Sequence, residues 1–409
     1  MSNKLEFTPL EEDWRFGTAS LSRIHNISDV EICNILEGSV FSNDQLDSPR
    51  KINVLYHEIP VVFCDPIHPD DLEINIRKAP KGSNDLSERI LNTITHKEFR
   101  RGSTKLFEPF KNILLNRIRT FVNAKRPIHI VLPTLPSKGQ NSARNDHSID
   151  DVSLGEMLFF AQLRDIVASI KKIYEPGAKI TVITDGIIYA DMFRNNNTPS
   201  AINYRNKCML LRDQMGLRDQ IDIIDMDWIL QGEAHFPILR NYIHERLLYL
   251  WEKNPETKRR MDSLARGMIF NLPTPGGRFD KAIEAANTPF RELSMTFQEK
   301  IKFTALRYAA CIIGLTYLQV IERAFPGAIR VTVHPKPASQ IGLHLVNSKS
   351  TVFPYHGVVL VSEKELKLTK SIRKSSRIVN LYDVMSLNKY VEKVCLKGDK
   401  SSLYYLVKD

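Results

Sequence analysis

Three apolar, β-branched runs, each stopping abruptly at turn-forming or polar residues, constrain this chain more than any other feature. IHIVLP occupies 128–133, ITVITDG 180–186 and QIDIIDM 220–226. Between them lie stretches with helical spacing. The first runs from about Ser153 to Tyr174, with Met157, Phe160, Val167, Ile170 and Tyr174 on or near one face; the second, near 199–215, ends at Gly216. A strand that is apolar on both faces is buried on both, and a strand–helix–strand–helix–strand order builds a parallel sheet with right-handed crossovers. The expected fold is α/β: a Rossmann-like, mostly parallel sheet with a helical insertion and a C-terminal strand-rich extension. Ligands of such sheets bind outside the carboxyl ends of the strands, so chemistry is expected just after each run.

The rest of the chain is expected to fall in place around this core. Residues 1–105 read as an N-terminal α/β region, with a short helix in DVEICNILEGSVF (29–41) and a strand in INVLYHEIPVVFCD (52–65). The core spans 106–230 and opens with an amphipathic helix at 106–123, where Phe110, Ile113, Leu114, Ile118, Phe121 and Val122 recur at helical spacing. A helical region follows over 231–325. It is interrupted by the turn-rich LPTPGGRFD (272–280), a candidate hinge, and closed by one long buried helix at 301–325. Strand signals return in AIRVTVH, IGLHLV and HGVVLVSE. They predict a mixed or antiparallel extension over 326–409, the strand-rich part of the catalytic unit.

A length of 409 residues exceeds what one core usually grows to, and 43% hydrophobic with 25% charged residues is ordinary for a globular protein. No apolar run approaches the ~20 residues of a membrane span. The N-terminus has neither a basic start nor an apolar core, so it does not read as a signal peptide. Five scattered cysteines without a CxxC pair fit reduced thiols, and a cytoplasmic location is expected. The net charge of +10 points to an anionic partner. A phosphorylated small molecule suffices, and no nucleic-acid-binding signature is present. The densest basic stretch, KELKLTKSIRKSSR at 364–377, lacks interleaved aromatics and reads as a solvated surface segment.

GxGxxG, GxxxxGK[ST] and GxSxG are all absent, which removes the sequence support for dinucleotide binding, a P-loop or an α/β-hydrolase. His334, His344 and His356 lack metal spacing, so no metal site is expected. Lys138 follows a buried strand, stiffened by Pro133 and Pro136. There it can meet a phosphate or form an imine with a ketone, or be an ordinary loop lysine. Arg144 shares its loop. Ser153 and Glu156 form a capping-box pattern, a structural alternative to catalysis for Glu156. Asp185-Gly186 ends a strand where the carboxylate can face the crevice, although Asp-Gly is also a common turn. Alternation along IRVTVH puts Arg330, Thr332 and His334 on one face, with Lys336 two residues on. His356 precedes Gly357 and another strand. His129 lies inside its strand and reads as a satisfied core histidine.

These blocks, in this order, resemble the pyoverdine-chromophore/dityrosine biosynthesis family, the amino-acid isocyanide (isonitrile) synthases. Family members carry a Pro-x-Lys-Ser-x-Asn loop, Gly-Glu at a helix start, a Tyr-x-Pro-Gly-Ala turn and a Ser-Asp-Gly strand end. An Arg-Tyr helix, a Phe-Pro-x-x-Ile-Arg strand ending in His-Pro, and a Pro-Trp-His-Gly turn come later. This chain has PSKGQN, LGE, IYEPGAKI, TDG, LRYAA, FPGAIRVTVHP and PYHG, collinear over roughly 100–360. It departs at Ile187, where the family has Arg, and at Ser153, Gly139 and Tyr355. The resemblance implies an enzyme that turns the α-amine of an L-amino acid, by family default aromatic, into an isonitrile. Ribulose 5-phosphate supplies the carbon and no cofactor is needed. It implies catalytic roles for Lys138, Glu156, Asp185, His334 and His356, and substrate binding by Arg144, Arg307, Arg330 and Lys336. A downstream oxygenase of the same secondary-metabolite pathway is the implied partner. Two alternatives stay open on the residues: a family member with a different condensation product, and a non-catalytic binder of a phosphorylated metabolite or nucleic acid.

Overall fold

The computed structural model describes residues 27–38, 45–55, 58–77, 85–192, 198–231, 235–274, 276–335, 338–399 and 401–408. Its strands, in chain order, are β1 Val61–Cys64, β2 Ile128–Pro133, β3 Ala178–Thr184, β4 Ile221–Asp225, β5 Ile329–Thr332, β6 Ile341–Gly342, β7 Val358–Ser362, β8 Ser376–Val379, β9 Val391–Leu396 and β10 Tyr404–Val407. They form two five-stranded sheets, ordered β4-β3-β2-β5-β6 and β1-β9-β10-β7-β8.

Every pairing in the first sheet is parallel. β2 and β3 are almost wholly buried, as their continuous apolar character requires. Ser153 caps the helix Leu154–Lys171: its hydroxyl accepts from Gly155 N–H, and its own N–H donates to Glu156 Oε2 at 2.8 Å. Most of that helix is buried, and it shares one core with β2, β3, β5 and the inner face of β7. It is sandwiched by protein on nearly all sides, which explains why its apolar stripe is wide. A second core fills the helical region, where Phe236–Lys253, Pro255–Met268 and Met295–Tyr317 pack together.

The structure revises three expectations. The long apolar segment 301–325 is two helices, Met295–Tyr317 and Val320–Ala324, broken where Gln319 adopts a left-handed conformation. AIRVTVH and IGLHLV form no antiparallel extension: β5 and β6 lengthen the parallel sheet, and only β7 enters the second, mixed sheet. The basic segment is also not wholly solvated, because Arg373 turns inward to Asp165 at 2.7 Å and to Gln162. His129 behaves as expected, bonded to Thr181 Oγ1 at 2.9 Å inside the sheet and set edge-on to Phe325. No helix among the described residues is long and apolar enough to cross a membrane.

The topology locates the crevice. The chain runs from β2 outward to β3 and β4, then returns through the helical region to β5 on the opposite side of β2. Strand order thus reverses between β2 and β5, and ligands of open α/β sheets bind at the carboxyl ends of the strands at such a switch point.

Candidate active site

Two adjoining cavities open at this switch point. The first, of about 270 Å³, is lined by the loop after β2, by Asp185 after β3 and by Thr332 to His334 at the end of β5; Tyr355 and His356, just before β7, complete it. Its apolar wall comes from Met226, Ile312, Leu315 and Ile321. The second, of about 320 Å³, carries Arg50, Arg101 and Arg144. Tyr308, His334, Phe353 and His356 face both.

The loop after β2 is shaped by backbone constraint. Leu135 takes φ +62°, a left-handed conformation that costs a non-glycine residue roughly 1–3 kcal/mol and persists only where its surroundings enforce it. The turn brings the Pro136 carbonyl against Gly186, where a Cβ would lie 1.7 Å from that oxygen. Asp185-Gly186 is therefore a close-approach site at the start of the helix Gly186–Met192, not a turn. Gly139 N–H donates to the Tyr355 carbonyl at 2.7 Å, and a Cβ at Gly139 would press on His356 Nδ1 at 3.1 Å.

Lys138 is almost fully buried with its donors engaged. Nζ reaches Glu156 (2.7 Å to Oε1, 2.9 Å to Oε2), Ser153 Oγ at 3.0 Å and the Pro354 carbonyl at 3.0 Å. An ammonium has three N–H groups, so this lysine spends them on the protein and not on a ligand. It ties the turn bearing Tyr355 and His356 to the start of the helix Leu154–Lys171. Glu156 keeps its capping role and also accepts from Tyr204 OH at 2.9 Å; it lines neither cavity.

Asp185 faces the first cavity with Oδ1 buried and unpaired. Burial pushes its carboxyl up to about 7. The histidines move the opposite way. His334 is exposed and lines both cavities, and the surrounding protein with Arg101 nearby lowers it to about 4. His356 is held well below its usual range by burial, Arg144, His334 and Lys138. Both are neutral at pH 7, so the group poised to exchange protons there is a carboxylic acid.

Arg144 donates to Asn380 Oδ1 at 3.1 Å and Asn271 Oδ1 at 2.7 Å, and burial lowers it to about 10, still protonated at neutral pH. Arg101 stacks over Phe353 at 4.8 Å. No carboxylate among the described residues forms an ion pair with either. Arg50 lies over Phe270 at 4.3 Å. Arg330 lines the first cavity and pairs with Glu322. Arg307 lines neither cavity: Tyr308, Ile312, Leu315 and Thr316 occupy the cavity face of their helix, and Arg307 turns aside onto Phe303 at 5.5 Å. His344 and Ile187 also lie outside both linings, and Lys336 falls outside the described residues.

The fold thus brings Lys138, Asp185, His334, His356 and Arg330 to one cavity and Arg144 to the next. Sequence reasoning missed Arg50 and Arg101. They come from distant, irregular segments, and only the folded chain reveals their convergence. A flag for Arg101 was the adjacent Gly102, which has φ +83°.

A profile of the pyoverdine/dityrosine biosynthesis protein family matches residues 118–379. The chain is 28% identical over 294 residues to an L-tyrosine isonitrile synthase of Pseudomonas aeruginosa, covering 70% of this chain and 86% of that protein. It is 23% identical over 263 residues to the L-tryptophan isonitrile synthase AmbI1 of Fischerella ambigua, covering 63% and 77%. The crystal structure of the PvcA protein from Pseudomonas aeruginosa superposes with a TM-score of 0.58 at 21% identity, covering 79% of this chain and 99% of that one, which supports the α/β fold.

Proposed function

Because the chain belongs to the pyoverdine/dityrosine biosynthesis protein family, we propose that it is an amino-acid isonitrile synthase with ribulose 5-phosphate as carbon donor. The observation that carries this reading is the adjacency of two unlike pockets. One offers Arg101 and Arg144, which no carboxylate among the described residues pairs with, suited to a phosphate dianion. The other offers a carboxyl group that titrates near neutral pH beside an apolar wall. The sugar phosphate enters the arginine pocket with its ketone toward Asp185. The amino acid lies in the first cavity, its side chain against Met226, Ile312, Leu315 and Ile321, a surface that favours an aromatic ring.

In this scheme the amine condenses with the C2 ketone; proton shifts, phosphate loss and carbon–carbon cleavage then leave the terminal isonitrile carbon. Asp185 moves the protons. His334 and His356, being neutral, each donate from one ring nitrogen and accept at the other, and so orient the sugar hydroxyls. Lys138 keeps the His356 turn in place. An oxygenase acting later on the isonitrile, and a cytoplasmic setting, belong to the same proposal.

Mass spectrometry of the purified protein with ribulose 5-phosphate and a mixture of all amino acids tests it. The expected product carries one carbon more and two hydrogens fewer than one amino acid of the mixture. Absence of any such product with every amino acid sinks the proposal. Arg144→Gln, which removes a charge-assisted contact, should raise KM for the sugar phosphate about tenfold or more while leaving the amino-acid KM nearly unchanged. An unchanged sugar-phosphate KM would take Arg144 out of that role.

A further inference from the structure

We propose that the C-terminal segment from Asn380 to Val407 is a working part of the site, its hairpin β9–β10 clamping the loop between β2 and the helix Leu154–Lys171 through Asp146 and so positioning Arg144. This rests on the functional reading above. The family profile ends at residue 379, immediately before the segment begins.

Asp146 lies two residues beyond Arg144, and both its oxygens are engaged from the hairpin. Oδ1 accepts from Ser402 Oγ at 2.7 Å; Oδ2 accepts from Tyr405 OH at 3.0 Å and pairs with Lys393 Nζ at 2.7 Å. Five residues on, Asp151 accepts from Ser401 Oγ at 3.1 Å. On the other side of Arg144, the start of the helix Leu381–Met385 takes hold of the loop's main chain: Leu381 N–H donates to the Arg144 carbonyl at 2.8 Å and Tyr382 N–H to the Ala143 carbonyl at 2.9 Å. Asn380 receives the guanidinium itself at 3.1 Å.

The loop needs such a hold. It runs about 20 residues without regular structure, longer than most connections in a compact domain. Its β2 end is fixed by strain and close packing at Leu135 and Gly186. Its Arg144 end has no sheet or helix of its own, and besides Asn271 and the backbone at Ile269 and Leu272, what holds it comes from more than 230 residues later in the chain. Asp146 lines neither cavity. It is a positioning residue: it sets where Arg144 stands, and small displacements of a binding group cost much more than their size suggests.

Steady-state kinetics on the full-length Asp146→Asn variant tests the clamp. Asparagine keeps the shape but places a neutral amide against Lys393. The expected result is a rise of about tenfold in KM for ribulose 5-phosphate with the amino-acid KM within about twofold, a split that general loosening of the fold would not produce. Tyr405→Phe loses one hydroxyl and no charge, and should shift the same KM in the same direction by about threefold; it carries the test if the first variant fails to fold. If wild-type protein forms the isonitrile and both KM values stay unchanged in the folded variants, the clamp is overturned and the functional reading stands. If wild-type protein forms no isonitrile, the functional reading falls. The clamp is then decided by calorimetry of inorganic phosphate, where Tyr405→Phe binding as tightly as wild type overturns it.

Discussion

Lys138→Met should lower the free energy of unfolding by about 3–5 kcal/mol, the usual cost of removing one partner from a buried ion pair. Total stabilities are typically about 5–15 kcal/mol, so the loss is large and shows as a fall in denaturant midpoint. The reason is geometric. The ammonium and the Glu156 carboxylate are both fully enclosed. With methionine in place of the lysine, Glu156 keeps Ser153 and Tyr204 as donors but no cation. Combining Lys138→Met with Glu156→Gln removes the orphaned charge and should restore a good part of the stability. Activity should not follow, because the Pro354 carbonyl still lacks its donor and the turn carrying His356 is no longer tied down. If the double variant regained activity with stability, Lys138 would be only a fold-stabilising residue. If the single variant lost sugar-phosphate binding while remaining as stable as wild type, the lysine would be a ligand contact, as its place after β2 suggested.

That ambiguity shows what a single sequence can and cannot convey. Periodicity marks β2, β3 and β4 because strands buried on both faces have no choice but to be apolar throughout, and Ser153 with Glu156 marks the helix start because capping is local chemistry. Whether Lys138 points into the crevice or back toward Glu156 depends on the path of a loop that turns at Leu135, whose left-handed backbone carries no glycine to announce it, and on partners at Ser153, Glu156 and Pro354 that only the fold brings near. The break at Gln319 is silent for the same reason: hydrophobicity continues across it, and neither Gly nor Pro stands there.

Partners distant in sequence are the other blind spot. β1 pairs with β9, from Val61↔Lys393 to Cys64↔Leu396, and β5 returns to β2 with Ile130 opposite Ile329. An alternating or apolar run declares that a strand exists, not which sheet receives it. The arginine pocket fails to show itself on the same grounds. Arg50, Arg101 and Arg144 share no motif, and what makes them a site is that the described structure supplies Arg101 and Arg144 with no carboxylate. Asp185 was legible by position, at the end of a buried strand. Its proton affinity was not, because that is fixed by what surrounds Oδ1 after folding.

Asp185→Asn should lower turnover by about 10² to 10⁴, the usual contribution of a positioned acid or base, and should also change the shape of the pH profile. In wild-type protein, kcat/KM should rise with pH and level off above about 7, as the buried carboxyl loses its proton and becomes a base. The histidines do not mask this limb, since His334 is lowered to about 4 and His356 is held well below its usual range by burial and the cations around it. In the variant the limb near 7 should vanish, leaving a slow rate that is flat across that range. Stability supplies an independent check of the same group. Unfolded, the carboxyl titrates near 3.9; folded, near 7, because burial penalises the anion. Between these values the native state binds more protons than the unfolded state, so stability falls as pH rises from about 4 to about 7 and is level above. The Asp185→Asn variant has no such slope from this site, and its gain over wild type should grow with pH across the window. A variant that lost turnover but kept both the limb near 7 and the falling stability would assign the titration to another group and remove Asp185 from the proton-transfer role.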